Sequence, residues 1–319
     1  MLTVRAIGQE ELEAFAALDP AAPEMARTLH ELWDDGSGRP EWTLVAEEAG
    51  RAVGRVAFFT EPLGCGLDVS EGRLAGLWLD RGSPSHREAA SRLLDMTVEL
   101  ATGMAPFIER RLNPEVHAEI PFWRSVLEGT GFSLFQEKQG FVWTDDGAER
   151  PVPPRLRFAT LAEVGRPAFA VAMGQTILGT LDRNDRFYLQ VCGPEGWGWE
   201  MVGAAEPGDE SGWLLAHELD GTLAGYVVVG GFEAGVGTIV HIGVVPERRG
   251  RGHVDELLTA ANRAARQLGY GSMLSDVDTE NAPMLAAMER NGHHRDVRPW
   301  HVWAYRRKVP GQGLRAPAP

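Results

Sequence analysis

The stretch VVPERRGRGHVDELL, residues 244–258, combines glycine, arginine and the start of a helix in a way that suits anion binding. Gly250 and Gly252 let the backbone turn tightly with its N–H groups outward. The helix predicted to follow adds its own free N–H groups at the same point. Backbone donors arranged in this way hold a pyrophosphate, and Arg249 and Arg251 would add positive charge from the side. A solvent-exposed basic turn is the alternative interpretation.

Histidine side chains around this loop are candidates for proton transfer. His241 lies on the apolar strand before the loop, and the face it occupies depends on a strand register that the sequence does not determine. It is either a packing residue or an acid, base or substrate contact. His253, at the mouth of the loop, would touch phosphate or cap the turn. His293, after a later glycine, is expected to pack or to lie at the surface.

A second group of polar residues ends the apparent strand YGSMLSDV. Ser275, Asp276 and Asp278 would orient substrate or water where a cleft opens, or they are solvated loop residues. Asn281 most simply caps the next helix, with Pro283 tolerated in the first turn.

Three further sets of residues carry a weaker signal. Two carboxylates are base candidates by charge alone, Glu206 and Glu218. An aromatic cluster would line an acceptor cleft or pack in the core, namely Trp197, Trp199 and Trp213. Two widely spaced cysteines match no metal or redox motif, Cys65 and Cys192. We therefore expect no metal ion.

The loop lies in the second of two similar halves. TLVAEEAGRAVGRVAFF and WLLAHELDGTLAGYVVVGG both contain Gly-x-x-x-Gly-x-Val, and each predicts a hairpin. An apolar strand and an amphipathic helix follow in each half, the helices over about residues 86–101 and 254–268. Each half then has a short helix ending near Gly131 or Gly292 and a last strand, QGFVW or PWHVWAY. The sequence predicts two domains of one fold, related by duplication.

The predicted division of the chain is linear. A degenerate first domain covers residues 1–145, a linker 146–155, a second domain 156–308 and a disordered tail 309–319. The fold class is α/β, of the mixed α+β kind. Each domain is expected to have a central, mostly antiparallel sheet flanked by helices.

Composition and charge limit the classes of function. The 319 residues are 44% hydrophobic and 24% charged, which is typical of two soluble globular domains. A formal charge of −14 without a basic stripe argues against a nucleic-acid partner and is compatible with a small cationic substrate. No apolar run is long enough to span a bilayer, and the first residues lack a signal-peptide pattern. We expect a cytoplasmic protein without a membrane partner.

The loop and its surroundings resemble the GCN5-related N-acetyltransferase (GNAT) superfamily. That family has a loop of the form (Arg or Gln)-x-x-Gly-x-(Gly or Ala), which holds the pyrophosphate of acetyl-CoA. RGRGHV matches it at Arg249 and Gly252 and departs at Val254, where the family has a small residue. VVP keeps the family's Val-x-Pro lead-in, and DTENAP with Gly292 is similar to its Asn-x-x-Ala…Gly-Phe segment. The likeness covers the second half well and the first in outline, in a layout similar to tandem members such as mycothiol synthase.

The resemblance implies an acyl-CoA-dependent N-acyltransferase. It would move an acetyl group from acetyl-CoA to a primary amine of a small molecule, by direct transfer in a ternary complex. Backbone groups near Ile242, Val244 and Val245 would hold the cofactor, with Val244 at the developing oxyanion. The side chains expected to serve catalysis are His241 and Ser275. The remaining cofactor contacts are expected at Arg249, Gly250, Arg251, Gly252, His253, Val254 and Asn281.

Two positions depart from what the resemblance implies. The family's tyrosine acid falls on Met288, which cannot donate a proton, so another group serves or the thiolate leaves unassisted. The first-half loop LDRGSPSHREAA has one glycine, Gly82, and an acidic Glu88 that would repel a pyrophosphate. The first domain is therefore expected not to bind CoA in the usual way. A second site of a different kind there is the alternative.

Rival functions stay open. Met288 and Val254 motivate a non-catalytic acyl-CoA-binding or regulatory protein. An aminoacyl-transferring enzyme that uses charged tRNA is disfavoured by the net charge. A Rossmann dehydrogenase is disfavoured because no Gly-x-Gly-x-x-Gly is present. The acceptor, the acyl chain length and the oligomeric state are not determined.

Overall fold

The computed structural model describes residues 1–20, 24–60, 65–66, 68–69, 74–102, 104, 106–113, 119–147, 154–203, 210–296 and 302–309. They form two compact units. Unit 1 contains the described residues up to Gln136 and those from Val302 to Val309, and unit 2 contains those from Glu137 to Asp296. Most of the predicted linker and residues 310–319 of the predicted tail lie outside the described residues.

Nine helices occur within the described ranges. They are α1 Leu12–Ala16, α2 Met25–Asp35, α3 His86–Leu100, α4 Ile120–Gly129, α5 Leu161–Val164, α6 Arg166–Thr176, α7 Arg183–Gly203, α8 His253–Gln267 and α9 Ala282–Arg290. Among the described residues, no helix has the length and apolar character needed to cross a membrane.

The described strands follow the same chain order. They are β1 Leu2–Ala6, β2 Thr43–Glu48, β3 Arg51–Ala57, β4 Phe59–Thr60, β5 Cys65–Gly66, β6 Asp68–Val69, β7 Leu74–Ala75, β8 Trp78–Leu79, β9 Phe107–Leu112, β10 Ser133–Thr144, β11 Leu156–Thr160, β12 Trp213–Glu218, β13 Leu223–Glu233, β14 Val236–Val244, β15 Ser272–Asp278, β16 His294–Asp296 and β17 Val302–Lys308.

Unit 1 is a mixed α/β unit with mostly antiparallel pairing. One sheet has the order β1-β2-β3-β8, and β9 pairs antiparallel with β17 and parallel with β5. Helix α3 contributes fully buried Leu93 and Leu94 to a core that includes Leu44 and Val56 of the hairpin. The apolar positions of an amphipathic helix thus cover one face of the sheet, as its spacing predicts.

Unit 2 has the sheet order β11-β12-β13-β14-β15-β10, antiparallel except between β14 and β15. Successive side chains of a strand point to opposite faces of the sheet, and helices cover both faces. Val227 and Val229 of β13 pack with residues of α8, and Tyr226 and Val228 pack with residues of α6 on the opposite face. The predicted fold class, an antiparallel-dominated mixed sheet flanked by helices, is confirmed.

The internal repeat predicted from the sequence is present. Both hairpins, β2–β3 and β12–β13, have a register shift at the same place, after Ala46 and after Ala216. Helices α4 and α9 both end before a glycine with positive φ, Gly131 at 82° and Gly292 at 84°. In each case the next residue's amide donates back into the last turn, a Schellman-type end.

Two strands belong to units other than those expected from a linear division. Residues 137–144 of β10 pair with β15 in unit 2, and β17 pairs with β9 in unit 1. The sequence predicted both strands but assigned each to the domain next to it in the chain. Alternating apolar residues indicate a strand and leave its partner open.

Candidate functional site

Strand β14 separates from β15 halfway along its length. The parallel pairing covers only Val236 to Thr238 of β14. At the next residue the amide of Ile239 donates to Ser275 Oγ, at 3.2 Å. Just beyond, the register against β13 shifts, so that Val240 is an extra residue in β14. A bulge of this kind bends a strand and re-aims its side chains. The hydroxyl of Ser275 therefore occupies the point where the strands part.

The backbone at the end of β14 points donors in alternating directions. The amide of Val245 donates to Ala224 O, at 3.0 Å, and is engaged in the sheet. The carbonyl of Val244 accepts from Arg249 Nε instead. Because N–H and C=O of one strand residue point the same way, the amides of Val244 and Ile242 face away from β13, toward the gap. The amide of Val245 is therefore engaged in the sheet, which leaves those of Val244 and Ile242 for the expected cofactor contact.

The loop between β14 and α8 has the geometry of an anion cradle. Gly250 and Gly252 have φ of 74° and 80°, a backbone conformation that residues other than glycine rarely adopt. Helix α8 starts at His253, and no side chain caps its first amides. A Cβ on Gly250 would meet no atom within 4 Å, so the surface in front of the loop is open. These features fit a pyrophosphate at the N-terminus of α8.

The arginines of the loop are used differently from expectation. Arg249 donates to the carbonyl oxygens of Val244, Thr176 and Gly179, at 3.0, 2.7 and 2.8 Å. Its guanidinium therefore ties the loop to the end of α6 and is not directed at an anion. The side chain of Arg251 is half exposed and lies 3.9 Å from Glu218. The prediction that Arg249 supplies charge to a phosphate from the side is not supported by this geometry.

His253 faces a carboxylate behind the loop. It is buried, and its Nε2 lies 3.0 Å from Glu218 Oε1. The other oxygen of Glu218 lies 3.2 Å from Arg248 Nε. The Nε2 side of the ring therefore supports the turn through Glu218, and a contact of His253 with phosphate stays a prediction. Val254, where the family has a small residue, packs against a buried cluster that includes Leu258.

A cavity of about 490 Å³, which we call the loop cavity, opens in front of this loop. It is lined by the end of α6 and the segment after it, by the end of β14, by the loop and by the starts of α7, α8 and α9. The lining residues are Thr176, Ile177, Gly179, Thr180, Leu181, Asp185, His241, Ile242, Gly243, Val244, Arg248, Arg249, Gly250, Gly252, His253, Val254, Asn281, Pro283 and Met284. Val245 and Arg251, both expected to contact the cofactor, are outside it.

His241 forms a hydrogen-bonded chain with two residues that the sequence did not single out. Its Nδ1 lies 2.6 Å from Tyr226 Oη, and its Nε2 lies 3.2 and 3.3 Å from the two oxygens of Asp185. Burial alone would lower the pKa of His241, but the charge and hydrogen bond of Asp185 outweigh burial and raise it. Burial raises the pKa of Tyr226, so its hydroxyl stays protonated.

A second cavity of about 280 Å³, the acidic cavity, adjoins the first. It is lined by Lys138, Thr180, Asp182, Asn184, Asp185, Trp197, Met201, Ile239, Val240, His241, Ile242, Ser275, Asp276, Val277, Asp278, Asn281, Met284 and Met288. Six residues line both cavities, namely Thr180, Asp185, His241, Ile242, Asn281 and Met284. The two spaces therefore meet at the His241 chain, where β14 has left β15.

The carboxylates of the acidic cavity have distinct surroundings. Asp276 pairs with Lys138, at 2.7 Å. Asp278 is buried and accepts the amides of Arg183 and Glu280, at 2.7 and 2.8 Å, which ties the start of α7 to β15. Burial raises the pKa of Asp182. Asp276 and Asp278 are thus cavity residues rather than solvated loop residues, and Asp278 also has a clear structural role.

Other sequence candidates separate clearly. Among the tryptophans, Trp197 lines the acidic cavity, Trp199 is exposed and Trp213 packs on Phe169 in the core. Asn281 caps α9 as expected, its Oδ1 accepting from the amide of Met284, and it lies where the cavities meet. Glu206 lies outside the described residues. His293 is fully buried, with Nε2 3.1 Å from Asn262 Oδ1.

Met288, at the expected position of a tyrosine acid, is buried and lines the acidic cavity. The missed residues come from two separate segments, one with Asp182 and Asp185 and one with Tyr226. LDRNDRF, which holds both aspartates, has two Asp and two Arg and runs into the start of α7, so its composition gave no clear signal. Within the described ranges, no group of three or more His, Cys, Asp or Glu side chains is arranged to hold a metal ion.

Unit 1 lacks these features at the corresponding positions. The residue between the repeated glycine and valine is Tyr226 in unit 2 and Arg55 in unit 1. Arg55 is fully buried, and its guanidinium donates to the carbonyl oxygens of Phe15 and Ala16 at the end of α1. In the loop before α3, Asp80 accepts the amide of Gly82, at 2.9 Å. A carboxylate of the loop itself thus takes the donor that an anion would need.

Comparison with known proteins agrees with this geometry. Residues 182–293 match the sequence model of the acetyltransferase (GNAT) family. A GCN5-related N-acetyltransferase from Sphaerobacter thermophilus is 19% identical, with 98% of each chain covered and a TM-score of 0.61. One from Kribbella flavida is 15% identical, covering 97% of this chain and 98% of that one, with a TM-score of 0.54.

A tandem GNAT protein from the clavulanic acid biosynthesis pathway is 14% identical, with 98% of this chain and 100% of that chain covered and a TM-score of 0.52. No curated protein is similar to the chain at a significant level. The predicted resemblance to the GNAT superfamily in a two-domain layout is confirmed. At these identities the solved structures establish the fold, and the family match supports an acyltransferase activity in general.

Proposed function

We propose that the protein is an acyl-CoA-dependent N-acyltransferase that moves an acetyl group from acetyl-CoA to a primary amine of a small molecule. The observation that carries the proposal is the meeting of the loop cavity and the acidic cavity at His241 and Ile242. A donor bound at the loop and an acceptor bound among the carboxylates would touch at that point. Direct transfer in a ternary complex requires such contact.

Acetyl-CoA would be held mainly by backbone groups. The amides around Gly250 and Gly252 and at the start of α8 suit the pyrophosphate, since they combine open N–H groups with the positive end of a helix dipole. The amides of Ile242 and Val244 face the gap between β14 and β15, where they would bind the acyl end of the cofactor. An amide aimed at the thioester oxygen stabilises the charge that develops there.

Proton transfer is assigned to His241. Nε2 of His241 lies beside the carboxylate of Asp185 at the junction of the cavities, and the two act as one proton-accepting pair. The amine nitrogen attacks the thioester carbon, the carbon–sulfur bond breaks, and the proton lost by the nitrogen passes to this pair, directly or through one water. Asp185 stabilises the resulting imidazolium. Ser275 supports the gap through Ile239 and is a positioning residue in this scheme.

The leaving group needs no tyrosine. Because a thiol has an ordinary pKa of about 8.5, its thiolate is a tolerable leaving group near neutral pH. Met288 at the usual acid position agrees with departure as the thiolate. The same residue is the observation that favours the second candidate, a non-catalytic acyl-CoA-binding or regulatory protein. Turnover separates the two functions.

The test measures CoA release from acetyl-CoA with a thiol reagent, across a panel of primary amines. We expect amine-dependent turnover in the wild type and a loss of about 10²- to 10⁴-fold in His241→Asn. His217→Asn is the matched control, because His217 lies on β12 and lines neither cavity. Acetyl-CoA binding without turnover on any amine would favour the non-catalytic function. Equal turnover in wild type and His241→Asn would reject the assigned base.

A further inference from the structure

We propose that the acidic cavity takes a hydroxylated diamine, an acceptor with a second ammonium group and an oxygen that accepts a hydrogen bond. This assignment rests on the acetyl transfer proposed above, and it names the class of the acceptor. Three observations in unit 2 carry it: the balance of charge in the cavity, a buried donor of Trp197, and the apolar groups that complete the wall.

Negative charge exceeds positive charge in the acidic cavity. Four carboxylates line it, those of Asp182, Asp185, Asp276 and Asp278, against two cationic groups, Lys138 and the His241 ring that Asp185 favours in its charged form. Lys138 lies beside Asp276, at 2.7 Å, and its charge also acts on Asp182 and Asp185, so one lysine is shared among three carboxylates. Enclosed carboxylates are costly unless positive charge accompanies them. A cationic ligand is the chemistry that restores the balance.

The reacting nitrogen cannot be that cation in the transition state. It must lose its proton to attack the thioester, and nearby carboxylates would favour the charged ammonium by raising its pKa. The carboxylates are therefore best matched by a second ammonium that stays charged while the first reacts at His241. Asp182 is placed for this role, since it lines only the acidic cavity, whereas Asp185 lines both.

Trp197 gives independent evidence that this cavity receives a ligand. Its side chain lines the cavity and is 4% exposed, and its ring meets that of His241 edge-on, with centroids 5.5 Å apart. Within the described part of the chain, its indole Nε1 is enclosed and makes no hydrogen bond. An indole N–H can only donate. A hydroxyl or carbonyl oxygen of the acceptor would satisfy it, whereas an ammonium would not.

The remaining wall is apolar and the space is small. Ile239, Met201, Met284 and Met288 line it beside the polar groups. The volume of about 280 Å³ lies just below the usual range for small-molecule sites. A short carbon framework that bears two amino groups and one oxygen fits this combination of charge, donor and apolar surface.

The test compares three acceptors at saturating acetyl-CoA: butylamine, 1,4-diaminobutane and 1,4-diaminobutan-2-ol. In the wild type we expect kcat/KM to rise about tenfold or more with the second amino group and several-fold further with the hydroxyl. Asp182→Asn should abolish the first gain. In the wild type the amide of Asp185 donates to Asp182 Oδ1, at 3.0 Å. Asparagine keeps an oxygen for this hydrogen bond, so the start of α7 is preserved.

Trp197→Phe should abolish only the gain from the hydroxyl, because phenylalanine keeps an aromatic ring and lacks the N–H. Glu195→Gln is the control for Asp182→Asn. Glu195 is an exposed carboxylate of α7, and its loss changes the net charge by the same amount. It should keep both gains. Equal kcat/KM for butylamine and 1,4-diaminobutane in the wild type, or a diamine preference that survives Asp182→Asn, would overturn the assignment of the second ammonium.

A binding measurement separates this assignment from the proposed reaction. 1,4-Diaminobutan-2-ol is titrated calorimetrically into the CoA-saturated protein and into the Asp182→Asn and Trp197→Phe variants. Binding that both variants weaken, together with no turnover on any amine, would reject acetyl transfer and keep the site. Turnover on simple monoamines without any binding of the amino alcohol would keep the reaction and reject the site.

Discussion

Replacing Gly250 by glutamate should strongly weaken acetyl-CoA binding while leaving the fold intact. Gly250 has φ of 74°, lines the loop cavity, and has open space around a Cβ. A carboxylate there would face a pyrophosphate held in the cradle. At an effective dielectric of about 20, a pair of like unit charges about 5 Å apart repels by about 3 kcal/mol. The Kd for acetyl-CoA should rise about a hundredfold.

The matched control is Gly269→Glu at the other end of the same helix. Gly269 has φ of 83° and equally open space around a Cβ. Both variants add one negative charge and place a side chain in the left-handed region, so each should lose roughly 1 kcal/mol of unfolding free energy. Only Gly250→Glu should lose acetyl-CoA binding, because only Gly250 faces the cavity.

Calorimetric titration gives Kd and stoichiometry, and chemical denaturation gives the free energy of unfolding of each variant. We expect one site per chain in the wild type and in Gly269→Glu. If Gly250→Glu bound acetyl-CoA with wild-type affinity, the pyrophosphate would not lie on this loop, and the reading of the cradle would be refuted. Equal weakening in both variants would trace the loss to strain or to net charge.

Three further outcomes are expected. Because Asp185 raises the pKa of His241, the midpoint of the acid limb of the kcat/KM profile should lie above about pH 6.5 in the wild type. In Asp185→Asn this midpoint should move to lower pH, and a shift to higher pH would contradict the assigned base. Arg249→Gln should lower the free energy of unfolding by about 1–3 kcal/mol and weaken acetyl-CoA binding, since three carbonyl oxygens lose their donor; unchanged values in denaturation and calorimetry would show that the tie is dispensable. Arg55→Met should destabilise the protein by a similar amount without changing acetyl-CoA affinity, since Arg55 supports α1 in unit 1; loss of affinity would place part of the cofactor site there.

The sequence predicted the elements that depend on local pattern. The Gly-Arg loop, the helix after it and the paired hairpins were all expected, and the structure has them with boundaries shifted by about one residue. These features follow from the spacing of apolar residues and from glycines that must adopt positive φ. The cradle at Gly250 and Gly252 belongs to this group, because a loop and the next helix are neighbours in the chain.

The sequence did not predict the partners brought together from distant segments. It named His241 without its face, and the bulge at Val240 decided that the ring points to Asp185 and Tyr226. It named Arg249 as a phosphate ligand, whereas its guanidinium donates to the carbonyl oxygens of Val244, Thr176 and Gly179.

What the sequence determined by itself is the order of the elements, the duplicated pattern and the position of an anion-binding loop. Only the tertiary structure decided which strands pair, that β14 and β15 part at Ile239, and that Asp182 and Trp197 line a cavity beside His241. The physical reason is that local conformation depends on backbone sterics and near-neighbour spacing. Register, cavity walls and charge balance depend on contacts between residues far apart in the chain, and composition and periodicity do not encode those contacts one by one.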